Sequence, residues 1–339
     1  MRKALVEILK VGIPLGIGVW LVFSTFNELS PAQQEELFAA FGQAHMGWLL
    51  LATLVGWLAH VSRGWRWRYL LAPLGHRPGF WNCYHAVMIG YFMNMFIPRA
   101  GEASRAVSLS RTDKVPFEQG FGTILAERVV DTTMLACFGL AAVLFQLDKL
   151  DLFQARIEAY RATQATTTAG DFPWGAVLLT LVGLVVVAGA YLMITRPAVR
   201  DRANALLRGF TDGLRAVLRM DRKGAFIAHT VFIWAAYFAM FAFGFHCLPG
   251  MDQVPLAGIL AGFIAGALGI VLVQGGIGVY PAFVALIVGV YMAPPEGGGL
   301  LRPDALAMGW LMWAVQTLML IVLGGLSLLL TTRRKAVAP

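Results

Sequence analysis

The chain has 339 residues, of which 58% are hydrophobic and only 14% charged, against about 25% charged in a soluble domain, so composition excludes an ordinary soluble protein. Its continuous apolar runs of about 18 to 25 residues fit a hydrocarbon core of ~30 Å and lack the alternation of a transmembrane β-barrel. The formal net charge of +8 reads as topology rather than nucleic-acid binding. All but five of the 27 Lys and Arg residues fall in segments 1–10, 62–78, 98–116, 196–224 and 331–339, which the positive-inside rule assigns to the cytoplasm.

In chain order, the first span is expected at about 5–26, an uncleaved signal anchor running outward after Arg2, Lys3 and Lys10. Residues 31–43 form a short amphipathic piece with Leu37, Phe38 and Phe41 on one face, suited to the outer membrane surface. A span at about 46–64 returns inward and ends in Arg63-Gly-Trp65-Arg66-Trp67-Arg68-Tyr69, a pattern suited to the headgroup layer. The apolar stretch 79–97 has Arg77 before it and Arg99 and Arg105 after it. A re-entrant hairpin broken at Pro98 and Gly101 avoids placing either basic end outside; such backbone survives at membrane depth only when buried in protein or lining a wet cavity.

Residues 117–147 cross outward, 148–171 form an outer loop and 172–195 return inward. The strongly basic segment 196–224 is expected to be a cytoplasmic amphipathic helix on anionic lipid. A span at 225–247 follows. Residues 255–293 hold two apolar helices broken at Gln274-Gly275-Gly276-Ile277-Gly278, either re-entering from outside or crossing twice, and 305–331 ends inside at Arg333, Arg334 and Lys335. The fold class is therefore all-α: one polytopic membrane domain over 1–339, with about six to eight transmembrane helices and two broken or re-entrant hairpins. A broken hairpin plus span at 79–147, and another at 255–331 entering from the other side, have the form of an inverted repeat; such repeats hold substrate at their interface.

Charge within this apolar frame marks the candidate site. Arg99 and Arg105 flank a helix break, and a helix starting after Gly101 would offer free N–H groups and a positive dipole end to a phosphate; the alternative is snorkelling to the interface. Glu127 and Asp131, four residues apart, share a helix face from which Arg128 points about 100° away. They could accept from Arg99 or Arg105, bind a headgroup amine, carry a proton, or form a structural salt bridge. Glu102 suits a helix N-terminus. Arg63, Arg66 and Arg68 read either as topology anchors or as ligands, and His85, Tyr91 and Asn94 either line a cavity or make structural hydrogen bonds. Gly262 and Gly266 form a GxxxG suited to close packing. Cys83, Cys137 and Cys247 read as small buried residues, and no metal-ligand spacing occurs.

NMFIPRAGEASRAVSL from Asn94, AERVVD at 126–131 and GGIGV at 275–279 together resemble the lysylphosphatidylglycerol synthase/flippase transmembrane family. The resemblance covers about 10–330. It implies a flippase-like integral membrane protein, here without the soluble aminoacyltransferase domain of larger relatives. Where the family commonly has a proline before the paired glycines and an acidic residue after them, this chain has Gln274 and Pro281.

The expected function is flippase- or scramblase-type movement of a phospholipid or lipid-linked headgroup, in the cytoplasmic membrane of a bacterium or archaeon with both termini cytoplasmic. The alternatives are an intramembrane lipid-modifying transferase and a small-solute or ion transporter. The expected substrate-binding set is Asn94, Arg99, Glu102, Arg105, Glu127, Arg128, Asp131, Arg66, Gly275 and Gly276. The partners are membrane phospholipids with an anionic or phosphate-bearing headgroup, a homo-oligomer being compatible and nucleic acid not. No catalytic residue, metal or cofactor is expected.

Overall fold

The computed structural model describes residues 2–97, 99–149, 220–295 and 301–336, with isolated positions between 151 and 217; among them the regular structure is helical, with no strand. The helices are α1 (Arg2–Asn27), α2 (Pro31–Gly42), α3 (Met46–Leu71), α4 (Phe80–Phe96), α5 (Ala100–Asp113), α6 (Phe117–Leu144), α7 (Lys223–Gly244), α8 (Leu256–Leu272), α9 (Val279–Val290) and α10 (Pro303–Ala336). Pro98, the span expected at 172–195 and most of the basic segment 196–224 lie outside the described residues.

Among the described residues, the helical stretches Phe117–Lys149, Lys223–Gly244 and Pro303–Thr332 are long and apolar enough to cross a membrane. A fourth joins them if α2 and the segment from Met46, bent by 70°, count as one span. The hairpin helices are shorter. At 1.5 Å per residue, the 17 residues of α8 reach about 26 Å and the 12 of α9 about 18 Å, less than a ~30 Å core.

Both hairpins turn sharply and close on a seam of glycine. In the first, a methyl on Gly90 would come within 2.9 Å of the Gly101 carbonyl, and one on Gly101 would collide with Asn94 and the Gly90 carbonyl. In the second, α8 meets α9 at successive levels: Gly269 against the Tyr280 backbone, Gly262 against Val288 and Gly258 against Tyr291. These pairings make each hairpin antiparallel. Gly262 and Gly266 pack as a close-contact motif does.

The contacts between the two halves are reciprocal. Helices α3 and α7 pack antiparallel, with Trp48 on Phe243 at one end and Arg66 bonded to Thr230 at the other. Hairpin helix α4 lies on the long helix α10 of the other half, where His85 meets Ser327 and Phe92 abuts Gly324. Hairpin helix α8 lies on the long helix α6, where Phe138 meets Phe263 and Gln146 donates to the Ala257 carbonyl. Units α3–α6 and α7–α10 thus each lay a hairpin helix on the other unit's long helix, α4 on α10 and α8 on α6.

The hairpin tips meet. Gln274, at the second tip, donates to the carbonyls of Asn94 and Met95 at the first, 2.9 and 3.3 Å away. Trp313 of α10 donates to the Gly275 carbonyl at 2.6 Å. Helix α1 seats against the second tip, with Gly18 beside Ile277 and Gly278. Helix α2, opened by a capping box between Ser30 and Gln33, rests on α10. Its Leu37 is buried and Phe41 partly so, whereas Phe38 faces outward, because α2 packs the Leu37 side on protein. Cys83 and Cys247 are buried; Cys137, contrary to expectation, lies on the exposed side of α6.

Candidate functional site

Helix α3 runs on to Leu71 through the segment expected in the headgroup layer, and its faces there divide. Trp65 and Arg68 point outward, with the Arg68 guanidinium 4.9 Å from the Trp65 ring centroid. Arg63, Arg66 and Trp67 are buried. The i, i+3 spacing of Arg63 and Arg66 puts both on the face turned to α6, where Glu127 and Asp131 stand at i, i+4. These arginines are buried because their carboxylate partners are.

Glu127 is wholly buried and is the centre of the cluster. Its Oε1 accepts from Arg63 Nη1 at 2.8 Å and Arg105 Nη1 at 3.2 Å, and lies 3.0 Å from Arg66 Nη2; its Oε2 accepts from Arg105 Nη2 at 2.6 Å. Asp131 accepts from Arg63 at 2.6 Å and Arg66 at 2.9 Å. Arg66 also donates to Thr230 of α7 at 3.0 Å. Rings complete the walls: Trp67 lies 4.0 Å from the Arg105 guanidinium and donates to Thr123, and Phe226 lies beyond Arg66. Tyr91 and Tyr237 flank Arg63.

Among the described residues, three guanidiniums against two carboxylates leave the cluster with one positive charge. The Nε of Arg63, Arg66 and Arg105 has no hydrogen-bond partner among the described residues, so each arginine retains a buried donor after both carboxylates are engaged. Glu127 lies ten residues into α6, about 15 Å along its axis, deep for a charge in an apolar frame.

A narrow cleft opens beside the cluster between α4, α5 and α6. Asn94, Glu102, Arg105 and Arg128 supply its polar lining. Its free volume of about 10 Å³ is roughly what one water needs, so the conformation is closed to a headgroup. Across the cleft, Arg128 and Glu102 form a half-exposed ion pair at 3.5 Å.

The structure thus gathers Arg66, Arg105, Glu127 and Asp131 into one cluster and Asn94, Glu102 and Arg128 around the cleft beside it. It separates Arg99 from them. Arg99 is exposed at the first tip, with a left-handed backbone (φ 60°), while Arg105 is buried on Glu127. The expected phosphate site at the start of α5 is partly satisfied from within: Asn94 accepts the Gly101 N–H at 2.6 Å and Ile97 accepts that of Ala100. Gly275 and Gly276 form the second tip, both at φ near 70°, and do not line the cleft. Sequence reasoning left Arg63 open between anchor and ligand and passed over Thr230 and Trp67. The two complementary pairs, Arg at i, i+3 and carboxylate at i, i+4, were the signal that could have joined α3 to α6.

Comparison with known proteins gives a match over residues 9–324 to the family described as the lysylphosphatidylglycerol synthase TM region. A "UPF0104 membrane protein" of Methanocaldococcus jannaschii is 32% identical over 99 residues, which are 28% of this chain and 30% of that protein. The glycosyltransferase AglD of Haloferax volcanii is 29% identical over 175 residues, 49% of this chain and 27% of that one. The chain therefore spans less than a third of the length of either relative. No solved structure matches.

Proposed function

Because the chain belongs to the lysylphosphatidylglycerol synthase TM-region family, we propose that it moves a phosphate-bearing lipid headgroup across the bilayer. The reading rests on one observation above all: a buried cluster with one positive charge in excess and three unsatisfied Nε donors, beside a cleft that carries a further arginine. A phosphodiester has the charge and the acceptor oxygens to engage those donors. Its acyl chains would remain in lipid while the headgroup enters between α4, α5 and α6. The half-exposed Arg128–Glu102 pair is the weakest link across the cleft, since such pairs contribute at most about 1 kcal/mol, and it parts first. Movement of the exchanged hairpins against the long helices then switches access between faces. The basic ends of the helices face the cytoplasm in this scheme.

A transferase reading draws on the glycosyltransferase name of one relative. It fits the cluster less well. A general base must reach the proton it takes, whereas Glu127 and Asp131 are buried, are held by arginines and do not line the cleft.

The test is transport in liposomes reconstituted with the full chain and fluorescently labelled phospholipids of several headgroups. Faster transbilayer movement than in empty liposomes is expected, reduced at least tenfold by Arg128→Ala. No acceleration for any phosphate-bearing lipid, with product formed from a lipid acceptor instead, would select the transferase.

A further inference from the structure

A second cavity lies at the basic end of α3, on the outward face of the same helix that feeds the buried cluster. It is formed by Trp65, Arg68, Tyr69 and His76 on one side, Arg77 at its rim, and Met220 to Arg222 opposite. Its volume of about 620 Å³ is in the range of small-molecule sites, roughly 300 to 1,000 Å³, whereas the cleft beside Glu127 holds about one water.

Three arginines face one carboxylate, Asp221, in this cavity. One of them is fixed. Arg68 donates its Nε to the Pro78 carbonyl at 3.1 Å and stacks on Trp65, which itself donates to the Tyr69 hydroxyl at 3.0 Å. That arrangement aims the Nη groups of Arg68 without using them in any ion pair among the described residues. Arg77 and Arg222 are exposed and likewise form no ion pair there. His76 is held by Gln119 at 2.6 Å. Among the described residues the buried arginines, Arg63, Arg66 and Arg105, all have carboxylates; these three have room for an anion instead.

We infer that this cavity is a second anion site, which binds a phosphate-bearing headgroup or free phosphate through Arg68, Arg77 and Arg222 with Trp65 and Tyr69 at its apolar wall. An indole and a phenol beside guanidiniums are the side chains that sit at a membrane–water interface, and guanidinium forks match phosphate oxygens. The site is separate from the transport cluster and needs no transport in order to be filled. The Tyr69 ring lies 5.8 Å from that of His229, whose neighbour Thr230 holds Arg66, so only a thin layer of side chains divides the two.

Purified full-length protein in detergent is titrated with phosphatidylglycerol and, separately, with inorganic phosphate, and the bound probe is counted by native mass spectrometry. Arg77→Ala combined with Arg222→Ala is expected to weaken binding of at least one probe tenfold or more, given roughly 1.5–3 kcal/mol for a hydrogen bond to a charged group. Each single variant should show part of that loss. Lys149→Ala, at the opposite end of the helical stretch Phe117–Lys149 from the Gln119 that holds His76, should leave binding unchanged. Displacement of the lipid by millimolar phosphate assigns the site to the phosphate group alone; arginine-dependent lipid binding that phosphate does not displace assigns it to a lipid headgroup. Equal binding by wild type and the double variant, or an equal loss in Lys149→Ala, overturns the site. Because binding and transport are read separately, failure here leaves the liposome result standing, and the reverse.

Discussion

Glu127 accepts from two guanidiniums and lies within ion-pair distance of a third, so replacing it by Gln leaves three buried arginines facing Asp131 alone. Breaking a buried pair by removing one partner costs about 3–5 kcal/mol, and Glu127→Gln should destabilise the purified protein by at least the lower figure in thermal unfolding. Arg128→Ala is the contrasting case. Its only ion pair among the described residues is long and half exposed, so stability should change by no more than about 1 kcal/mol, while headgroup movement falls. Equal loss of stability in the two variants would remove the distinction between core and cleft. The acidic half of the cluster was readable from the i, i+4 spacing of Glu127 and Asp131. The basic half was not: in one dimension, Arg63 and Arg66 look like the other arginines of an interfacial segment. Only the packing of α3 on α6 separates Arg66, fully buried, from Arg68, two residues on. Arg99 misled for the complementary reason, because proximity in sequence to Arg105 says nothing about which side of a helix start each occupies.

The hairpin tips test the backbone directly. Gly275 and Gly278 both have φ +70°, but a methyl at Gly275 meets open space and one at Gly278 collides with the Gly18 carbonyl of α1. Gly275→Ala should therefore cost only the left-handed conformation, about 1–2 kcal/mol. Gly278→Ala should cost more, with α1 displaced from the second tip; protease accessibility of α1 measures that displacement. If the two variants are equally stable, α1 is not seated as described. Both broken hairpins were legible in sequence, the first from basic residues on both sides of 79–97 with Pro98 and Gly101 at its break, the second from the glycines at 275–278 and the short run after them. The contact between their tips was not legible, because it uses a single glutamine and two backbone carbonyls. Helix α2 shows the same limit, since its amphipathic pattern does not say whether lipid or α10 receives the apolar face.

Across the whole molecule, the two hairpin tips are joined through Gln274, so the switch of access proposed above would have to slide them past each other. Met95→Cys with Gln274→Cys, in a Cys137→Ser background, joined by a short bifunctional thiol reagent, should stop transport, and a reductant-cleavable linker should restore it. Undiminished movement in the cross-linked protein would show that the tips are not the moving parts. The alternation of broken hairpins and spans was visible in outline from the sequence; the antiparallel packing of α3 on α7, far apart in the chain, was not. One consequence concerns the order of synthesis. Arg63, Arg66, Arg105, Glu127 and Asp131 all lie within the first 131 residues, so a ribosome delivers every member of the ionic cluster before any of α7–α10 exists. An arginine left alone in hydrocarbon resists insertion by roughly 2.5–3.5 kcal/mol on translocon scales; here each arrives with its counter-charge in the same nascent segment, and the first half can leave the translocon already neutralised to within one unit of charge, awaiting only Thr230 and the rings of α7.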